Sequence, residues 1–274
     1  PASGMRLKKE LLMVNRRFEG RVALVTGASS GIGKVTAQVF AREGARVVVT
    51  TGTNVKGGEE TVRLIRSAGG EASFVRCEVS REDEVEYMVR KCVELYGRLD
   101  VAFNNAGVGP DGARYPVAPV SEYPEEAWRR MLDINLTGVF HCLKFEIRQM
   151  LRQKSGAIVN NASVGACRGN YGFSPYNASK SGLVFLSQAA AIENAAHGIR
   201  INTILPGPTG RTSLMENFSN TDDRPDFENL VPLRRIAEPE EMAEAVMWLC
   251  SDAAAFITGI TMPVDGGLSI KPAF

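Results

Sequence analysis

The sequence predicts an α/β fold in three layers, a doubly wound parallel sheet of about seven strands with helices on both faces. Three observations carry that expectation. Short runs dense in Val, Ile and Ala alternate with helix-length amphipathic segments along most of the chain. The runs are apolar almost throughout, as strands buried on both faces are, rather than alternating residue by residue. No Ser/Pro-rich linker or break in composition divides the 274 residues.

Arg21–Thr26 (RVALVT) is the first strand, followed by a Gly/Ser loop and a helix over Lys34–Glu43 with apolar residues at helical spacing. Ala45–Thr50 (ARVVVT), Gly58–Ser67 and Ala72–Cys77 repeat strand, helix, strand. Glu82–Tyr96 predicts a helix, Leu99–Phe103 a strand, Glu125–Arg152 one long helix, and Ala157–Asn161 the fifth strand. Tyr176–His197 and Pro239–Cys250 are the remaining helices, with strands at Ile199–Ile204 and Ile260–Val264. Two stretches resist periodic assignment, Val108–Ser121 and Pro206–Glu238. Loops of that length in a compact domain are usually lids or partner contacts.

Hydrophobic residues make up 44% and charged residues 23%, which fits a compact globular chain. Lys+Arg 32 against Asp+Glu 31 leaves a net charge of +1, so no global field attracts nucleic acid or an anionic membrane. The longest apolar runs, such as Leu183–Leu186, fall far short of the roughly 18 residues a spanning helix needs. Residues 1–17 read as an N-terminal extension, with Pro1–Gly4 ahead of Met5 an expression remnant, and without the apolar stretch of a secretory signal. Residues 18–274 are expected to form one domain with a lid at about 207–238, in a cytoplasmic protein. Five scattered cysteines (Cys77, Cys92, Cys142, Cys167, Cys250) form no CxxC pair, which argues against a disulfide framework and against a metal site. Only His141 and His197 exist, with no HExxH or GxSxG, so zinc hydrolase and Ser-His-Asp chemistry lack their parts.

Glycine is over-represented, 27 of 274, and its placement points to chemistry. Thr26-Gly27-Ala28-Ser29-Ser30-Gly31-Ile32-Gly33 falls where the first strand turns into the first helix. Glycines there let the backbone approach a pyrophosphate, whose charge is met by free N–H groups and the helix dipole. An ordinary tight turn is the competing explanation, weakened by the position after strand one. Tyr176-Asn177-Ala178-Ser179-Lys180 opens a helix, and its i, i+4 pair shares one face, so an ammonium can stabilise a phenolate. The pair alone is weak evidence; its neighbours supply the weight. Ser163 and Asn104-Asn105-Ala106-Gly107 follow strands at the same sheet edge, and Asn135 sits mid-helix, where Asn is a poor helix former and more often a satisfied polar filler.

These motifs together resemble the short-chain dehydrogenase/reductase family, from Arg21 to about Leu268, through TGASSGIG at 26–33, NNAG at 104–107, Asn135, Ser163, YNASK at 176–180, PG at 206–207 and VDGG at 264–267. The resemblance implies a Rossmann-like fold and an NAD(P)(H)-dependent oxidoreductase that interconverts a secondary alcohol and a ketone. Tyr176 would be the general acid/base, Ser163 a hydrogen-bond donor to the substrate oxygen, Lys180 the partner of the nicotinamide ribose, and Asn135 the holder of a relay water. The cofactor would be bound by Gly27, Ser29, Ser30, Gly31, Ile32 and Gly33, by Thr51 and Thr53, by Glu78 and Val79 beside the adenine, by Asn105, Ala106 and Gly107, by Tyr176 and Lys180, and by Pro206, Gly207 and Thr209.

Substrate contacts would come from Ser163, Val164, Gly165, Tyr171 and Tyr176, with Leu214, Met215 and Phe218 from the lid. Phe227 and Leu230 complete an amphipathic cover, which favours a mostly apolar, cyclic alcohol or ketone. Thr50–Asn54 carries no carboxylate where NAD-selective members have one, which favours NADP(H) over NAD(H). Glu78 replaces the usual Asp, and the second proline and glycine of Pro206–Gly210 alter the carboxamide loop. Tyr-x-x-x-Lys spacing argues against the enoyl-reductase branch. A small-molecule partner and a homodimer or homotetramer paired through the Glu125–Arg152 and Tyr176–His197 helices are expected. The rival reading is a catalytically silent dinucleotide-binding sensor or scaffold.

Overall fold

The computed structural model describes residues 16–112, 114–219 and 226–271, the side chains of residues 217–219 apart. Seven parallel strands form one sheet: β1 Val22–Val25, β2 Arg46–Thr51, β3 Glu71–Arg76, β4 Val101–Asn104, β5 Gly156–Asn161, β6 Ile199–Pro206 and β7 Thr261–Val264. Their order is β3-β2-β1-β4-β5-β6-β7, so the direction of winding reverses between β1 and β4. That is the point where open α/β sheets leave a crevice beyond the strand carboxyl ends.

The helices are α1 Gly31–Arg42, α2 Val55–Ser67, α3 Glu82–Tyr96, α4 Glu125–Leu132, α5 Gly138–Gln153, α6 Ser174–Asn194, α7 Ser213–Ser219, α8 Phe227–Leu230 and α9 Pro239–Cys250. Alternate strand residues supply two cores, because side chains point to opposite faces with period two. Val22 and Leu24 of β1 pack with Met88, Phe145 and Leu183 on one face. Ala23 and Val25 pack with Phe40, Ile65 and Val246 on the other. Burial on both sides explains why the strands read as unbroken apolar runs. Pro263 is accommodated because β7 is the sheet edge, where a missing N–H costs no ladder bond.

Local signals set the helix ends. Asn54 caps α2 by accepting from the N–H of Gly57 at 3.0 Å. Gly97 ends α3 at φ 81°, a left-handed conformation that suits glycine. Glu238 and Glu241 form a capping box around Pro239 at the start of α9.

Element edges differ from the sequence expectation by a few residues, and one element differs in kind. The single long helix expected over Glu125–Arg152 is α4 and α5 joined by a π turn at Asp133–Thr137. An i→i+5 turn takes a carbonyl off the helical ladder, and such bulges are frequent at functional sites. Asn135 sits in it, fully buried. No group of metal-ligating side chains and no helix long and apolar enough to cross a membrane occurs among the described residues.

Candidate active site

At the β1–α1 turn, Asn105 holds the glycine loop from behind. Its side-chain amide donates to the carbonyls of Thr26 and Gly27, both at 3.1 Å. Thr26 Oγ1 in turn accepts the N–H groups of Asn105 at 2.9 Å and Ala106 at 3.0 Å. A Cβ at Gly27, where φ is +62°, would stand 2.8 Å from Ala106 Cα; one at Gly33 would stand 2.5 Å from the Gly27 carbonyl oxygen and overlap the Asn105 amide. No other residue fits at either place. With the loop carbonyls tied back, the first-turn N–H groups of α1 open on the crevice, and Ser30 precedes them in extended backbone with no side-chain cap bond. This is a cradle for a pyrophosphate, the group that fits a strand-to-helix glycine turn.

Beyond the loop, Thr51 is buried and donates to Ser29 Oγ at 3.4 Å, while Thr53 is exposed. Val79 is buried against Gly138. β2 ends without a carboxylate, as expected. Glu78, just after β3, carries its Oε2 to 2.6 Å from where a Cβ of Gly52 would lie. The register, with Thr51 opposite Arg76, brings the two strand ends side by side.

The reactive side chains converge from three elements. Ser163, after β5, accepts the N–H of Gly165 at 3.1 Å, and its Oγ and the Tyr176 ring flank Gly165. A Cβ at Gly165 would lie 3.4 Å from both Ser163 Oγ and Tyr176 Cε1, so glycine keeps that face of the phenol open. Lys180 Nζ donates to the Asn161 carbonyl at 2.7 Å and lies 5.8 Å from the centre of the Tyr176 ring. Gly107 lies between Lys180 and Asn135: its missing Cβ would stand 3.4 Å from Nζ and 3.1 Å from Asn135 Oδ1.

Electrostatics pull the pair in opposite directions. Burial pushes the Tyr176 phenol above its usual range, with Ser163 working against it. Burial lowers the Lys180 ammonium to about 8. Near neutral pH Lys180 is therefore still an ammonium and Tyr176 a neutral phenol, and the ammonium is the charge on hand as a phenolate forms. Lys180 Nζ, 5.8 Å from the ring centre, is the cation placed to favour a phenolate as it forms.

The Asn135 side chain is engaged with the protein itself. Its Oδ1 accepts the Val108 N–H at 2.8 Å, and its amide donates to the Val108 carbonyl at 2.8 Å and to Ser179 Oγ at 3.2 Å. The side chain is spent as a clamp between the π turn, the 108 loop and α6. Any relay water held by this residue is left to the main chain.

On the substrate side, Leu214 of α7 reaches over the crevice: a Cβ at Gly109 would meet Leu214 Cδ1 at 2.8 Å and Tyr176 Cε2 at 3.5 Å. Met215 is buried beside it. Thr209 and Ala237 form an isolated β-bridge at the base of the lid, and Thr212 stands over Gly31. Gly207 packs directly on Asp265, with Pro206 ending β6. Val164 and Gly165 lie in a short 3-10 turn under the phenol.

Tyr171 stands away from this group, 77% exposed, and Leu230, expected in the apolar cover, is 44% exposed. The side chain of Phe218 lies outside the described residues, as do residues 220–225 of the lid. Sequence reasoning missed Phe173, which meets the Tyr176 ring edge-on at 6.1 Å, and Tyr115, buried in a cluster with Met131 and Ala127 against which Val108, Tyr123 and Tyr176 pack. It also missed Arg168, whose guanidinium donates to the Leu268 carbonyl at 2.6 Å and ties the Ser163 loop to the chain end. The aromatic residues among the prolines and glycines of Val108–Pro124 were the available signal.

A family profile described as enoyl-(acyl carrier protein) reductase matches residues 27–269. A short chain dehydrogenase/reductase of Aspergillus oryzae is 40% identical over 257 residues, covering 92% of this chain and 96% of the relative. The cis-4-hydroxycyclohexanecarboxylate dehydrogenase of Sinomonas cyclohexanicum is 42% identical over 250 residues, covering 91% and 97%. Among solved structures, levodione reductase superposes with a TM-score of 0.86 at 34% identity, covering 93% of this chain and 100% of that one. Matches of this extent, on a chain that carries the glycine turn and the Tyr-x-x-x-Lys helix at one crevice, place it firmly: the chain belongs to the short-chain dehydrogenase/reductase family.

Proposed function

We propose that this crevice interconverts a secondary alcohol and its ketone with a nicotinamide dinucleotide, and that Tyr176 is the group that moves the proton. The observation that carries the reading is the convergence of Ser163, Tyr176 and Lys180 at the carboxyl ends of β5 and β6, facing the glycine cradle of β1. Bound there, the dinucleotide supplies the ring carbon that accepts or donates the hydride, and in its oxidised form a further positive charge near the phenol. Everything else falls to the protein. The Ser163 hydroxyl orients the substrate oxygen beside the Tyr176 hydroxyl, and Tyr176 takes the carbinol proton or returns it to the carbonyl. Lys180, held by the Asn161 carbonyl, stabilises the phenolate. Leu214, Met215, Phe173 and the Tyr115 cluster give the crevice apolar walls that exclude water. The complete set of proton-handling groups favours this over a silent dinucleotide-binding sensor.

Those walls, and the cyclohexane ring in the name of a 42% identical dehydrogenase, favour a mostly apolar, cyclic alcohol or ketone. Steady-state assays over cyclohexanols, linear alcohols, sugars and phosphorylated alcohols should rank kcat/KM highest for the cyclohexanols. Turnover confined to sugars or phosphorylated compounds contradicts this reading. Phe140, Leu151, Phe185 and Ile192 are exposed on α5 and α6 and suit pairing with a second copy of the chain, which sedimentation reads as a dimer or tetramer mass. Buried, unpaired Cys77, Cys92, Cys142 and Cys250 suit a reducing compartment such as the cytoplasm. The lack of an acid within β2 favours NADP(H).

A further inference from the structure

The Tyr176 ring has two unequal flanks, each formed at a glycine. On the Cε1 side, a Cβ at Gly165 would stand 3.4 Å from Cε1 and from Ser163 Oγ, so a methyl group fits there at van der Waals contact. On the Cε2 side, a Cβ at Gly109 would stand 3.5 Å from Cε2 but only 2.8 Å from Leu214 Cδ1 and 3.4 Å from Cδ2. That space is already taken by the tip of Leu214. Both partners of this contact are held in place. Asn135 accepts the Val108 N–H and donates to the Val108 carbonyl, each at 2.8 Å, and two residues past Gly109 the Asp111 N–H donates to the Tyr115 carbonyl and the Tyr115 N–H to Asp111 Oδ1, both at 2.9 Å. The backbone at Gly109 therefore cannot back away. Leu214 stands in the first turn of α7, whose approach is tied down by the Gly210 N–H on the Ala237 carbonyl at 2.8 Å and by Thr212 Oγ1 on the Thr209 carbonyl at 2.9 Å, and whose next residue, Met215, is buried.

We propose that Leu214, seated on Gly109, sets the handedness of the reaction. Ser163 and Tyr176 fix where the substrate oxygen lies, and a bound dinucleotide fixes the side on which hydride is exchanged. With both directions set, the two enantiomers of a secondary alcohol differ in which carbon arm lies along which flank. The Leu214 flank admits the smaller arm and the Gly165 flank the larger, so the wrong enantiomer is rejected by a clash with the Leu214 methyl groups. Gly109 and Leu214 are specificity residues, a small and a large side chain that together close one flank. The inference deepens the alcohol site proposed above and rests on it.

The test is steady-state kinetics of the full chain with each enantiomer of 1-cyclohexylethanol, whose arms are a methyl group and a ring. The proteins compared are the native sequence, Leu214→Ala, and Leu214→Ala combined with Gly109→Ala, with thermal melts to show that each folds. An apolar pocket discriminates a single methylene by about 10- to 200-fold, so native kcat/KM should differ between the enantiomers by at least about 10-fold. Leu214→Ala should lower that ratio at least about five-fold by speeding the slow enantiomer, a gain that mere damage to the fold does not produce. In the double variant the methyl added at position 109 refills part of the space and should move the ratio back toward native. A native protein that uses both enantiomers equally, a ratio unmoved by Leu214→Ala, or a double variant no more selective than Leu214→Ala overturns the assignment and leaves the alcohol reading standing. Turnover of cyclohexanol but of neither enantiomer does the same. Turnover of no alcohol by a protein that binds the dinucleotide overturns both.

Discussion

Replacing Tyr176 with Phe should lower kcat by about 1,000-fold while leaving the dissociation constant of the dinucleotide within about two-fold of native. The substitution removes one oxygen and keeps the ring, so the edge-on contact with Phe173 and the packing against the Tyr115 cluster persist. What is lost is the phenol hydroxyl that interacts with Ser163, on the ring whose centre lies 5.8 Å from Lys180 Nζ. Ser163 cannot take over, because an alkoxide is far costlier to form than a phenolate beside an ammonium. Steady-state turnover and a binding titration on the same sample check both halves. A variant that turns over within a few-fold of native moves the proton transfer to another group.

The second large effect concerns stability. Glu146 on α5 is fully buried, with Asn104 donating to its Oε2 at 2.9 Å and its Oε1 without a partner. Asn104 also donates to Asn160 Oδ1 at 3.0 Å, and Asn160 to Ser187 Oγ at 2.8 Å, so the carboxyl ends a polar chain running from β4 through β5 to α6. Burial pushes the Glu146 carboxyl up to about 7 from 4.5, the Asn104 bond opposing it. The sign follows from linkage. Between about 4.5 and about 7 the folded protein keeps a proton that the unfolded chain has lost, so stability falls as pH rises through that window. The full change is about 3 kcal/mol, present at acid pH and lost above about 7. Glu146→Gln keeps the shape and the acceptor for Asn104 but cannot ionise. Urea denaturation at pH 5 and pH 8 should show the variant gaining on the native protein by about 2–3 kcal/mol as pH rises. A gap independent of pH contradicts a protonated Glu146.

Much of the fold was legible because parallel strands buried on both faces have no polar positions to blur the pattern. Val22–Val25 and Val47–Val49 feed two cores at once, and the helix between them is bounded by glycine turns. The π turn was hidden: an Asn inside a helical stretch marks Asn135 as unusual, but its clamp on Val108 arises only when the 108 loop folds back. Within the site, residues on short motifs were readable, since Tyr176 and Lys180 are fixed by one helix and Gly27 and Gly33 by one turn. Contacts between motifs were not. Gly109 and Arg168 matter through partners far away in sequence, and Tyr171, on the same loop as Arg168, turns outward.

The most direct test of the central claim follows the hydride itself. The protein, oxidised dinucleotide and a cyclohexanol deuterated at the carbinol carbon are mixed, and the reduced nicotinamide is recovered for mass spectrometry. One deuterium per reduced ring, with none in the Tyr176→Phe variant over the same time, is the predicted result. Reduced cofactor that carries no label, or dinucleotide that binds the native protein and is never reduced by any alcohol offered, would contradict an alcohol dehydrogenase at this crevice.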